Sequence, residues 1–331
     1  MATQDTDDIE DMPEILDVYR SNKFIYIDLN PGNFIENSDE EIYAKLKVTP
    51  EPLAQKLFKS VNYNIAIYLE ITIPDEIHSI SINGTVYPIK DVLSLAPVTA
   101  QLCLVFKNEW PNIPIVIDYY RRVHRVERFI LYDNNSTEPP PKEILEDPQI
   151  QYIQWTIPYT HTLINPPDSG PDWVIIAQNS AYSHCLKRFN QAIWTIFMDT
   201  DEFLVRRRDA PPLKSVLESK ADNVNTIVVK GFWAGCNKFT QKEIYKNLTK
   251  LSRRGDKFCM NKLILRTSKH KYTDCIHSAY ITDGRAETLP VNQGMYFFHL
   301  YTASAKTRKC ECRMYCQIPD KSFIESWAHA K

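Results

Sequence analysis

Glycine is scarce in this chain: 8 residues of 331, against 21 prolines and 18 tyrosines. A phosphate cradle made of backbone amides needs glycine where a side chain would block the approach. Neither G-x-G-x-x-G nor G-x-x-x-x-G-K-[ST] occurs, so dinucleotide-binding and P-loop readings lose their fingerprints. Long apolar runs are missing as well. No stretch approaches the roughly 18 apolar residues that span a bilayer, and the opening MATQDTDDIEDMPE is acidic where a signal peptide is basic and then apolar. The expectation is a chain without a membrane span, cytosolic as it stands, or lumenal in the Golgi where an anchor lies outside it. A formal net charge of −2 lacks the basic surplus of a nucleic-acid binder, so no nucleic-acid partner is expected. Eight cysteines over this length make no disulfide framework. Cys310-x-Cys312-x3-Cys316 departs from the paired C-x2-C spacing of zinc sites, and thiols clustered without a metal are the simpler account.

What is present is an ordinary globular balance, 44% hydrophobic and 24% charged, in a chain long enough for one large domain with an appendage. Residues 1–20 are acidic and aperiodic and read as disordered. Residues 21–98 read as a small β-rich module with no catalytic constellation, packed on the main domain; a sugar-binding accessory role is the alternative. Its strands are Phe24–Ile27 and Ile65–Ile73, and Ile80-Ser81-Ile82 turns through Asn83-Gly84 into Thr85-Val86-Tyr87 as a hairpin. The main domain is expected over 99–318, with a tail over 319–331.

After Pro97 the pattern changes to alternating strands and helices. Strands are expected at Leu102–Phe106, Arg128–Tyr132, Ile150–Ile157 and Ile193–Met198. The first pair is linked by a helix over Ile113–His124, apolar at 113, 116, 117, 120 and 123, and a long helix from Trp173 to Phe189 precedes the fourth strand. This alternation predicts an α/β fold with a mostly parallel sheet and flanking helices, which gathers ligands beyond the carboxyl ends of its strands. Those ends carry Lys107-Asn108-Glu109, Asp133-Asn134-Asn135-Ser136-Thr137 and, in the stretch AIWTIFMDTDEFLV, Asp199 and Asp201. Two carboxylates one residue apart suit a hard divalent cation that carries phosphates. Carboxylate and amide groups from the other two ends can hydrogen-bond a base and ribose. Together these describe a nucleotide-diphosphate site. Sequons at Asn83, Asn134, Asn135 and Asn247 include two in this ligand edge, where glycosylation would block the ligand, which favours a cytosolic chain.

KNE after the first strand, FILYDNNST after the second, Gln178-Asn179-Ser180-Ala181-Tyr182 on a helix and then FMDTDEFLV resemble the GT-A glycosyltransferases, in particular glycosyltransferase family 92 and related family-2-like enzymes with a D-x-D-E-F core. The resemblance covers about 100–305. It implies a GT-A, Rossmann-like domain, a nucleotide-sugar donor that is usually UDP-linked, a carbohydrate or glycoprotein acceptor, and Mn²⁺ or Mg²⁺ held by Asp199 and Asp201. It also implies that Asp133 contacts uracil or ribose, with Lys107, Asn108, Glu109 and Asn134 beside it. Cys275-Ile276-His277 resembles the family's late strand, which makes His277 the third metal ligand; His299 in FFHLY resembles a second His-Tyr element and is the alternative ligand, or else a donor-phosphate or acceptor contact.

Breaking a glycosyl–diphosphate bond puts positive charge on the sugar and negative charge on the leaving phosphate, so cations there stabilise the transition state. Lys262, with Arg253 or Arg254, is a candidate helper, or else an exposed surface base. The resemblance favours inversion, which needs a carboxylate to take the acceptor hydroxyl's proton. Asp256, Asp274 and Glu243 are the candidates, Asp256 first. No base motif is evident, and a binding protein of the same fold without turnover is the competing reading. Phe232-Trp233 beside Gly231 and Gly235 forms either a loop that closes over a sugar or a plain aromatic turn.

Overall fold

The computed structural model describes residues 15–21, 23–59, 67–91, 95–162, 173–206, 210–235, 252–258, 261–270, 284–290, 295–300 and 318–319. The N-terminal part is built from β1 (Ile15–Ser21), β2 (Phe24–Leu29), α1 (Pro31–Phe34), α2 (Asp39–Lys45), β3 (Val48–Thr49), β4 (Ala54–Lys59), β5 (Ile67–Thr72), β6 (Ser79–Ile82), β7 (Thr85–Pro88) and β8 (Lys90–Asp91). Among the described residues these form a sheet ordered β4-β5-β2-β1-β8 and a smaller one ordered β3-β6-β7. Ile25, Ile27, Leu69, Ile71, Ile80 and Ile82 alternate onto the faces that close its core. The Asn83-Gly84 hairpin forms as expected, with Ile82 opposite Thr85 and both turn residues at positive φ, 52° and 86°. One expectation is corrected here. Residues 15–20, expected to be disordered, form β1, because Ile15, Val18 and Tyr19 bury themselves against β2 in spite of the acidic composition around them.

The main domain follows with β9 (Val98–Phe106), α3 (Ile113–His124), β10 (Arg128–Asp133), α4 (Lys142–Leu145), β11 (Ile150–Gln154), β12 (Thr160–Thr162), β13 (Trp173–Ile175), α5 (Ala177–Arg188), β14 (Ala192–Phe197), β15 (Glu202–Val205), α6 (Leu213–Glu218), β16 (Val224–Val229), β17 (Gly231–Gly235), β18 (Ser252–Phe258), β19 (Lys262–Arg266), β20 (Arg285–Thr288), β21 (Tyr296–Leu300) and β22 (Ile318–Pro319). Among the described residues the main sheet runs β11-β10-β9-β14-β19-β16-β20. Its first four strands are mutually parallel, joined by crossovers that carry α3 and α5, and β19 inserts antiparallel between β14 and β16. A second sheet, β15-β21-β17-β18-β22, adjoins the acidic turn. The fold is therefore α/β with a large, mostly parallel sheet.

Side-chain chemistry explains most of these elements. All six residues of β10 are buried, as a central strand covered on both faces requires. In α3, Ile113, Val116, Ile117, Tyr120 and Val123 are buried at the predicted spacing. Ile193 is 49% exposed, so the apolar run of β14 begins in earnest at Trp194. The helix before β14 is shorter than expected: Trp173–Ile175 pairs antiparallel with Thr160–Thr162, and the helix starts at Ala177. All twelve residues of α5 are buried, including His184, Lys187 and Arg188, because the main sheet lies on one side and β1 of the N-terminal part on the other. Asp17 of β1 reaches into this seam. It contacts His184 Nε2 at 3.1 Å, Lys90 Nζ at 2.6 Å and Arg188 Nε at 3.5 Å, and His184 Nδ1 lies 2.7 Å from the Tyr132 hydroxyl.

Candidate functional site

The site begins where β14 ends. Phe197 pairs with Cys103, so continuing the register brings Asp199 level with the end of β9, next to β10, whose last residue Asp133 pairs with Phe106. The turn 198–201 is held from both sides. Glu202 N donates to Asp199 O at 3.1 Å, and Asp199 N donates to Glu202 Oε2 at 2.8 Å, so the acidic turn closes on itself. Helix α3 then fixes the strand that follows. The Tyr120 hydroxyl donates to Glu202 O at 3.0 Å and accepts from Leu204 N at 3.1 Å, while Tyr119 and His124 both reach Leu204 O, at 2.6 and 2.7 Å.

Asp199 is 29% exposed, and each carboxylate oxygen has a donor: Gln178 Nε2 at 2.5 Å on Oδ1 and Lys262 Nζ at 2.7 Å on Oδ2. Gln178 is itself fixed, donating to the Tyr182 hydroxyl at 2.9 Å and accepting from the Tyr159 hydroxyl at 3.2 Å. Lys262 is 1% exposed and also lies 3.1 Å from Glu202 Oε2. The option of an exposed surface lysine is thus corrected: β19 runs antiparallel to β14, which carries Lys262 beneath the acidic turn. Burial alone would raise the Asp199 carboxyl; Lys262, with His299 and Gln178, outweighs it and holds Asp199 below the usual carboxylate value. Burial pushes Glu202 up to about 7, opposed by Lys262 and assisted by Asp199, with Asp201 a smaller contributor. Burial works against the Lys262 ammonium, yet Asp199 and Glu202 together raise it above its ordinary value.

Asp201 and Glu202 face His299, which β21 presents opposite Glu202 in the second sheet. Its imidazole stands 3.4 Å from Asp201 Oδ2 and 3.5 Å from Glu202 Oε1. Both of those oxygens are buried and make no hydrogen bond among the described residues. Asp199 and Glu202 share Lys262, Asp201 stands beside them against His299, and the unsatisfied buried oxygens of Asp201 and Glu202 leave a set that a divalent cation would complete. Among the described residues no three His, Cys, Asp or Glu side chains already stand in a metal-holding arrangement. The donors nonetheless fit a hard cation: Asp201 and Asp199 offer oxygen, and His299 stands beside them.

The other two strand ends form one latch at the same edge. Asn108, at φ 59°, accepts from Thr137 N at 2.8 Å through its side-chain oxygen, and its own N–H donates to the Ser136 hydroxyl at 2.7 Å. Asp133, 3% exposed, accepts from Ser136 N at 2.9 Å and from the Tyr152 hydroxyl at 3.3 Å. Asn134 spends both amide hydrogens on Trp155 O and Ile157 O, and Glu109 accepts from Asn112 at 2.5 Å. Asn108, Glu109, Asp133 and Asn134 therefore shape the loop wall, and Lys107 is exposed on it. Sequence reasoning assigned no role to Gln178, Tyr182 or Glu202. The signal available was the polar i, i+4 pair of Gln178 and Tyr182 at the start of a helix whose other residues pack. Of the expected bases, Asp256 lies on β18, two strands from β21; Glu243, Asp274 and the metal candidate His277 lie outside the described residues, as do Cys310, Cys312 and Cys316.

A sequence profile described as Glycosyltransferase family 92 matches residues 102–329. No curated protein matches the chain. Solved structures similar to parts of it include a mycobacterial protein, at 18% identity and TM-score 0.25 over 46% of this chain and 44% of that one. Another is the bifunctional glycosyltransferase WbbM in its apo form, at 11% and 0.25 over 41% and 24%. A third is glucosyl-3-phosphoglycerate synthase from Mycobacterium tuberculosis in complex with Mn²⁺, uridine diphosphate and glucosyl-3-phosphoglycerate, at 14% and 0.26 over 52% and 57%. The chain thus spans less than two thirds of each of these.

Proposed function

The chain belongs to glycosyltransferase family 92, and from that premise we propose that it transfers a sugar from a nucleotide-diphosphate donor, UDP-linked, to a hydroxyl of a carbohydrate or glycoprotein acceptor, with inversion and with help from Mn²⁺ or Mg²⁺. The observation that supports this reading is the buried acidic pocket at the carboxyl edge of the sheet. There the unsatisfied oxygens of Asp201 and Glu202 converge on His299 beside a carboxylate, Asp199, that is held ionised.

Asp201, Asp199 and His299 would hold the cation, which when bound neutralises charge on the donor's diphosphate. The chain's own residues do the remaining work. Lys262 keeps Asp199 charged, and Gln178 fixes the orientation of that carboxylate, so the anionic edge needs no rearrangement when a donor arrives. The latch formed by Asn108, Asp133 and Thr137 makes a rigid wall for the base and ribose. A carboxylate must accept the proton of the attacking hydroxyl, and Asp256 is the first candidate, with Asp274 and Glu243 as the others.

The test is a thermal-shift panel of UDP and UDP-sugars with and without Mn²⁺. A ligand that binds only the folded state at about 100-fold its Kd adds about 2.7 kcal/mol. A Mn²⁺-dependent rise in Tm for the parent, abolished in Asp199→Ala/Asp201→Ala, is the expected result. A parent indifferent to every nucleotide at millimolar concentration would sink the donor reading.

A further inference from the structure

A second cleft lies at the opposite edge of the sheet. It holds about 460 Å³ and is walled by both parts of the chain: Ser21, Tyr26, Tyr68 and Glu70 come from the N-terminal strands, and Lys187, Asn190, Ser268 and His270 are among its main-domain residues. It opens beside Asn190, just before β14 begins, whereas Asp199 follows the end of that strand. Six residues of strand put the two sites about 20 Å apart.

The lining has a definite chemistry. Tyr68, Lys187 and His270 are buried and form the floor, while Tyr26, Glu70 and Asn190 are half-buried and Ser268 is exposed at the rim. Lys187 Nζ sits 3.8 Å over the Tyr68 ring, which fixes the ammonium in place. Tyr26 and Glu70 are directly opposite across β2 and β5, and burial together with the neighbouring Glu70 carboxylate holds the Tyr26 phenol above its ordinary value. One oxygen pair offers more acceptor sites than a single phenol uses. Asn190 Nδ2 donates to the Ser21 hydroxyl at 3.0 Å, which leaves a second amide hydrogen and the amide oxygen to consider. Burial pushes His270 below its ordinary value against the opposing pull of Asn225 O, which its ring contacts at 3.0 Å, and this favours the neutral imidazole.

Among the described lining residues one carboxylate stands against one ammonium, a near-neutral balance that disfavours phosphate or a polyanion. A wall of carboxylate, amide, hydroxyl and phenol groups disfavours an apolar ligand. Aromatic edges with closely spaced donors and acceptors suit a neutral ring that carries several hydroxyls. We propose that this cleft is a carbohydrate-binding site that holds a neutral oligosaccharide through Glu70, Asn190 and Tyr26. That this oligosaccharide is a distal part of the acceptor rests on the transferase reading above; the binding itself does not.

The experiment applies the full chain to an array of neutral oligosaccharides built from glucose, galactose, mannose and N-acetylglucosamine, with Glu70→Ala, Asn190→Ala and Ser268→Trp alongside. Ser268 is exposed at the rim, so its tryptophan variant fills the cleft without entering a core. The parent is expected to retain at least one oligosaccharide class, each variant to bind it about ten-fold more weakly or less, as loss of one good hydrogen bond implies, and Asp199→Ala/Asp201→Ala to bind it like the parent. No binding by the parent, or binding lost with the aspartate variant and kept by all three cleft variants, would overturn the proposal. UDP with Mn²⁺ is run on the same samples by thermal shift. A UDP response without oligosaccharide binding removes the cleft alone, and the reverse removes the donor site alone.

Discussion

Lys262 carries more of the acidic turn than any other residue. It is the cation that lets Asp199 stay ionised and Glu202 stay buried within 3.1 Å of it. Removing one partner of a buried ion pair leaves an uncompensated charge, at a cost of about 3–5 kcal/mol. Lys262→Met should lose that much in urea unfolding, and Lys262→Met/Glu202→Gln should recover part of it, since the second change removes one stranded acid. A double variant no more stable than the single one would show that Glu202 is not strained by the loss. His124 makes a separate prediction. It is fully buried on α3, and burial pushes its pKa down to about 3. The folded value lies below the unfolded one of about 6.5, so the unfolded chain binds the extra proton at intermediate pH. The stability this neutral ring contributes is fully present above pH 6.5 and is lost as pH falls toward 3, at up to about 1.4 kcal/mol per pH unit. Tm measured from pH 7 to 4.5 should fall less steeply in His124→Gln, whose amide can still donate to Leu204 O. Equal slopes would remove His124 from the acid response.

At the scale of elements, the hairpin β6–β7 and the approach to β20 both turn on a glycine, and the two differ in a measurable way. Gly84 has φ 86° with nothing within 4 Å of an added Cβ, so Gly84→Ala should cost only the left-handed strain, about 1 kcal/mol. Gly284 has φ 82°, and a Cβ there would stand 2.2 Å from Asn225 Nδ2 and 2.6 Å from Asn223 O. Gly284→Ala must therefore also move backbone, and denaturant midpoints should place it well below Gly84→Ala. At the same scale, element limits depend on partners that lie outside the local pattern. Alternation at Ile80–Tyr87 and the 113, 116, 117, 120, 123 spacing of α3 are local patterns and survived intact. Trp173–Ile175 looks like the first turn of a helix because its apolar residues fit that period; its pairing with Thr160–Thr162, earlier in the chain, decides otherwise.

For the whole molecule, α5 is the joint. It presents Gln178 to Asp199 at its start, while His184 and Arg188 meet Asp17 of β1 further along. Expressed without residues 1–98, the main domain would expose that buried charged seam and the apolar residues beside it. The expected outcome is an insoluble or strongly destabilised fragment, judged by soluble yield and Tm. A fragment as stable as the full chain would show that the N-terminal part is only an attachment. The sequence by itself determined the parallel α/β order and the polar strand ends, with the Asp199–Asp201 pair among them, because hydrophobic period and strand-end polarity are local properties written along the chain. It could not show that Lys262 lies under the acidic turn, that His299 faces Asp201, or that Asp17 pairs with His184. Those partners are 63, 98 and 167 residues apart. Only the antiparallel insertion of β19, the pairing of β15 with β21 and the packing of β1 on α5 bring them within bonding distance, and burial then fixes their charge.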